Sequence, residues 1–182
     1  MMEERPLQID VLRRLRAAIL RNVYQLDIAS KALDGLQVSW LTRNILELDV
    51  WSIFCCISEE NSKTFVSDGA RDAIGLLNIP EHFRRVDTGK TFKKLRDSMI
   101  AAAKEGGIEN PDATYTRVTD VASKVGVDDF NKKYMILSKF AHPTALVVVN
   151  PGAANELIDM FAGAGKMWAE EAIKIIDERL TK

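Results

Sequence analysis

The chain has 182 residues, 47% of them hydrophobic and 28% charged, with a formal net charge of −1. This suits one globular domain with a real core and excludes a surface that is basic all round, so a nucleic-acid role has to rest on a local face. The N-terminus, Met-Met-Glu-Glu-Arg-Pro, lacks the apolar stretch of a secretory signal, and neither Trp51–Ile57 nor Ala145–Val149 approaches the roughly 20 apolar residues of a membrane span. The expectation is a soluble, cytoplasmic protein with no membrane partner.

Helical periodicity dominates. Leu12, Leu15, Ile19, Val23, Leu26 and Leu33 recur in threes and fours, with Ala29 filling the gap, up to a stop at Asp34-Gly35. Ser39 is the expected N-cap of a second helix over Trp40–Ser58. That helix is apolar around much of its circumference and so should be central. It carries Cys55 and Cys56, read as reduced, small apolar residues, since neighbours on a helix point about 100° apart and do not pair in normal geometry. A third helix is predicted over Thr64–Leu77, and a short turn of helix over Glu81–Arg85. A basic helix follows over Thr88–Glu105, stopped by Gly106-Gly107. Next come a helix over Ala113–Val125 with Gly126 after its end, and a helix capped by Asp128 and stopped by Pro143. Ala145–Val149 reads as a connector, and the chain closes in a long helix to Leu180. Gly163 and Gly165 inside that helix point to close helix–helix approach or a kink. The fold class is all-α, one up-and-down bundle of about seven helices spanning residues 1–182.

Several familiar motifs fail on inspection. Asp87-Thr-Gly-Lys-Thr91 resembles the tail of a phosphate-binding loop, but Arg84 stands where the first glycine belongs and no strand precedes it. Gly163-Ala-Gly-Lys166 fails likewise at Met160 and Met167. Two adjacent cysteines and two distant histidines supply no zinc set, so neither a metal nor another cofactor is expected. His82, beside a basic stretch, reads as a solvated surface histidine.

Tyr134, Ser138 and His142 recur every four residues, which on a helix places their polar groups in one row. Arg43 and Glu47 have the same spacing on the second helix. There, burial leaves both charges in need of partners. One cluster of Arg43, Glu47, Tyr134, Ser138 and His142 is expected, either as a functional site or as a buried network that fixes helix register. The run His82–Arg96 adds six cations, Arg84, Arg85, Lys90, Lys93, Lys94 and Arg96, against one aspartate, with Phe83 and Phe92 interleaved. It is either a phosphate-contacting and base-stacking surface or a solvated helix face.

The Arg-x-x-x-Glu helix, followed late in the chain by Tyr-x-x-x-Ser-x-x-x-His in Leu-Ser-Lys-Phe-Ala-His-Pro, resembles the HEPN superfamily (higher eukaryotes and prokaryotes nucleotide-binding). The likeness covers about the last third of the chain and the second helix. It implies a helical bundle, often dimeric, from bacterial toxin or phage-defence systems, and in many members an RNase that needs no metal. His142 matches the histidine of that family's mark. The family's arginine, four to six positions earlier, falls here on Ser138, Leu137 and Ile136, and Lys139 stands one residue too close. Arg43 or Lys139 is left to supply the charge.

Two functions follow. In the first, His142 is the general acid/base for RNA cleavage or the centre of a nucleotide site. Arg43 or Lys139 stabilises phosphorane charge, Glu47 orients the histidine, Tyr134 and Ser138 bond phosphate, and the basic run guides substrate. In the second, the chain is a non-catalytic helical module for a partner protein or small ligand, and the cluster is a pocket or a structural network. The resemblance further implies a homodimer.

Overall fold

The computed structural model describes residues 7–77, 86–111, 113, 116–142, 144–150 and 152–181. It is all-helical, with no strand among the described residues. The helices are α1 (Leu7–Lys31), α2 (Gly35–Ile57), α3 (Glu59–Leu76), α4 (Val86–Glu105), α5 (Val118–Val125), α6 (Phe130–Ala141), α7 (Ala145–Val149) and α8 (Ile158–Leu180), with a 3₁₀ turn at Asn155–Leu157. They form two compact units. One comprises the described parts of Met1–Ser62 and Val118–Lys182, the other those of Lys63–Arg117.

The first unit is built around α2, which packs against α1, α8, α6 and α5. Val38, Leu41, Ile45, Leu46 and Val50 on α2 meet Leu12, Leu15, Ile19 and Leu26 of α1 and Phe161, Ala169, Ala172 and Ile176 of α8 in the core. Because α2 has neighbours on several sides, its apolar residues spread around the helix and do not form one stripe. Cross-links give the directions. Arg16 bonds Asp177 at 2.8 Å and Asp27 bonds Lys166 at 2.6 Å, so α1 and α8 are antiparallel. The Thr42 hydroxyl donates to the Phe161 carbonyl at 3.1 Å, and Cys56 Sγ lies 3.8 Å from the Ile175 carbonyl, so α2 and α8 run parallel. Gly165 makes the close approach its sequence position suggests: an added Cβ would sit 3.0 Å from Leu26 and 3.3 Å from Thr42 Oγ1. Gly163 has open space instead.

The second helix starts earlier than its sequence suggests. Asp34 is the N-cap, its carboxylate accepting the Gln37 amide, while Ser39 lies within the helix and donates back to the Gly35 carbonyl at 2.7 Å. Gly35 is there for space. An added Cβ would be 2.6 Å from the Asn155 amide nitrogen and would collide with the Ala154 carbonyl. The left-handed turn after α1 is taken by Leu33.

Other boundaries differ as well. The extended Ser58, whose hydroxyl accepts the Asn61 amide, starts α3 at Glu59 and not Thr64. Asp129, not Asp128, is the N-cap of α6, in a left-handed conformation and without a side-chain cap bond. Ala145–Val149 is a short helix and not a plain connector, anchored by buried Val147. Gly126 ends α5 in the left-handed region as expected.

In the second unit, Arg71 ties down the loop after α4. It pairs with Asp68 at 3.1 Å and donates to the Glu109 carbonyl at 2.9 Å, while Ile74 and Pro111 are buried nearby in sequence. A turn at left-handed Asn110 and buried Pro111 occupies this stretch, and α5 begins only at Val118, later than the expected Ala113. The short helix expected over Glu81–Arg85 lies outside the described residues. Among the described residues, no helix is long and apolar enough to cross a membrane.

Candidate functional site

The candidate site forms where α6 crosses α2. The two helices are antiparallel: Lys133 near the start of α6 interacts with Asp49, and His142 at its end reaches back to Arg43. Phe130 and Leu137 fasten α6 to the core and leave the opposite flank of the helix, Lys132, Met135, Ile136 and Lys139, exposed. The polar row at 134, 138 and 142 lies between these faces.

Arg43 is the hub. Its Nε donates to Glu47 Oε1 at 3.1 Å, its Nη2 donates to the Tyr134 hydroxyl, and its Nη1 lies 2.8 Å from His142 Nε2. Guanidinium has donors only, so Nε2 of His142 accepts and the neutral ring carries its proton on Nδ1. The guanidinium also sits over the Tyr134 ring, 4.4 Å from its centroid, and Phe130 stacks against that ring at 5.4 Å. Tyr134 is therefore gripped by a ring and a cation.

Exposure grades across the site. The side chain of Arg43 is 19% exposed and that of Glu47 30%, whereas His142 reaches open solvent. Burial pushes the Glu47 carboxyl above its ordinary range, opposed by Arg43 and by hydrogen bonding with Tyr134. The Tyr134 phenol is also raised, by burial first and the Glu47 charge second. Both groups thus hold their protons more tightly than in water.

The other expected members fare differently. Ser138 is on α6, but its hydroxyl oxygen is buried without a hydrogen-bond partner among the described residues and does not reach Arg43. Lys139 is exposed, and its carbonyl accepts the Thr144 hydroxyl at 2.8 Å. Of the basic run, Lys93 and Lys94 are exposed on α4, and Arg96 is half-buried with its Nε unpartnered among the described residues. Arg84, Arg85, His82 and the side chain of Lys90 lie outside the described residues.

One group escaped the sequence reading. Asp49 is 4% exposed, and its Oδ1 has no hydrogen-bond partner among the described residues. Burial and the charge of Glu171 push its carboxyl up to about 7 against the pull of Lys133. Its signal in the sequence was an aspartate set among Leu46, Leu48, Val50 and Trp51. Burial likewise raises the thiols of Cys55 and Cys56, to about 12 and about 11, so neither is an activated nucleophile. No group of three or more His, Cys, Asp or Glu side chains among the described residues is arranged to hold a metal ion.

No protein-family model, no curated protein and no solved structure matches this chain.

Proposed function

We propose that the chain is a HEPN-like helical-bundle protein whose Arg43–Glu47–Tyr134–His142 cluster binds the RNA backbone and cleaves it without a metal ion. The carrying observation is the 2.8 Å contact between Arg43 Nη1 and His142 Nε2. The arginine missing from the stretch before His142 is supplied in space by α2. An arginine beside a solvent-facing imidazole is what phosphodiester transfer needs: a cation for the phosphorane and a nitrogen lone pair to act as base.

In this reading the phosphate draws the Nη groups of Arg43 onto its non-bridging oxygens, which frees the lone pair on Nε2. His142 then takes the 2′-hydroxyl proton, the 2′-oxygen attacks phosphorus, and the P–O5′ bond breaks. A 2′,3′-cyclic phosphate forms, and the imidazolium returns the proton to the leaving 5′-oxygen. Glu47 holds Arg43 through Nε and keeps the fork aimed. The exposed Lys139 adds a cation on α6 for the strand. A cytoplasmic homodimer in a toxin–antitoxin or phage-defence system belongs to the same proposal, carried by the resemblance.

A second reading is a non-catalytic module that binds a ligand or partner protein. It is favoured by the internal satisfaction of Arg43: each of its three side-chain nitrogens already has a partner, and Glu47 balances its charge.

Cleavage of a mixed RNA pool in EDTA, by wild type and by a folded His142→Ala, separates the two. Cleavage lost in the variant supports the RNase. Cleavage by neither protein transfers the site to the binding module. Cleavage by both alike rules out His142 as its base.

A further inference from the structure

Leu36, Trp40, Arg43 and Glu47 follow one another along α2 in steps of four, three and four residues, so they share one side of the helix. Because α6 runs antiparallel and ends at His142, level with Arg43, α2 continues toward Trp40 past the end of α6. Trp40 is 48% exposed there and makes no hydrogen bond or ring contact with a described residue. Trp is highly buried on average, so an indole left open one turn from a charged site calls for an explanation. Asn44, one turn beyond Trp40 and beside Arg43 in the chain, is half-buried with its amide unbonded among the described residues.

The Tyr134 ring already has Phe130 stacked at 5.4 Å and the Arg43 guanidinium at 4.4 Å from its centroid. The open aromatic surface on this side of α2 is that of Trp40. We propose that Trp40 is a stacking platform for an unpaired base of single-stranded RNA, placed one helical turn from the phosphate position at Arg43, with the Asn44 amide available to the base edge. One turn is about 5.4 Å, within the span between a phosphate and its neighbouring base. Stacking on an aromatic side chain is the general device for holding single strands, and it accepts any base. A polyanionic occupant finds its cation in Arg43, whose Nη groups reach His142 and Tyr134. The identification of RNA rests on the reading above, while the base-binding role of Trp40 does not need cleavage.

The test measures affinity by fluorescence anisotropy for a short 2′-O-methyl oligouridylate, which cannot be cleaved through its 2′-oxygen, and for an abasic strand of equal length. Trp40→Ala is expected to weaken the oligouridylate about tenfold, the size of one lost base–aromatic stack, and to leave the abasic strand unchanged. Trp40→Phe keeps most of the affinity. If Trp40→Ala leaves both strands unchanged, or weakens both alike, the platform is overturned even where His142→Ala abolishes RNA cleavage. If wild type cleaves nothing yet binds the oligouridylate through Trp40, the platform stands and the RNase falls. If wild type binds neither strand, the platform falls, and the cleavage assay alone decides the RNase.

Discussion

Arg43 and His142, separated by 99 positions in the chain, meet at 2.8 Å with the imidazole as acceptor. The contact joins a partly buried residue to an exposed one. Their removal therefore has unequal consequences.

Arg43→Ala should destabilise the fold by about 1–3 kcal/mol, because it strips the half-buried Glu47 of its cation and leaves the Tyr134 ring uncovered. His142→Ala should cost about 0.5 kcal/mol or less, as expected at an exposed position. Urea denaturation of the two variants measures the difference. Equal and large losses would mean that His142 is part of the scaffold.

Asp49→Asn should stabilise the protein increasingly as pH rises. The carboxyl is raised to about 7 by burial, so between its unfolded value near 4 and that point the folded state holds one more proton than the unfolded state. The relief from a neutral Asp49 is complete at acid pH and lost as pH climbs through 7, at a cost approaching about 4 kcal/mol. The asparagine variant removes that dependence. Denaturation curves at acid and alkaline pH should converge at the acid end and separate at the alkaline end. A gap independent of pH would show that Asp49 does not titrate in this range.

Gly35→Ala should be the most damaging single-methyl change in the first unit, about 2–3 kcal/mol, since the new carbon meets rigid backbone at Ala154–Asn155. Gly165→Ala meets a Leu26 methyl at 3.0 Å, which can rotate, and gains helix propensity, so its cost should be under about 1 kcal/mol. Thermal denaturation ranks the pair. The reverse order would show that the α2–α8 packing is the tighter of the two.

Much of the site was legible in the sequence because it is written in local spacing. The four-residue steps from Tyr134 to His142 and from Arg43 to Glu47 survive in the structure as neighbours along α6 and α2. That the two pairs meet depended on the central place of α2, which its all-round apolarity announced. Ser138 shows the limit: spacing places it in the row but does not fix its partner, and its hydroxyl oxygen is buried and unpartnered among the described residues while Tyr134 and His142 reach Arg43. The start of α2 was misplaced because Ser39 is a good cap by type. The competing signal is Asp34 with a glycine behind it, a pattern that also marks the end of α1. As a helix stop Gly35 is legible, but its steric role depends on Ala154, far along the chain and beyond any local pattern. Asp49 and Trp40 were hidden for a related reason. Which side of α2 is covered depends on where α6 stops.

The clasp at Gly35 changes how the turn between α1 and α2 can be used. Exposed loop tips are the usual places where a chain accepts a tag, a graft or new termini. Here the Gly35 amide donates to the Asn155 side chain at 3.0 Å, and its α-carbon lies against the Ala154 carbonyl. Gly35 alone of residues 31–36 is buried, and it is the buttress for the entry into α8. A reporter spliced in at Gly35 would part the start of α2 from the turn that leads into α8.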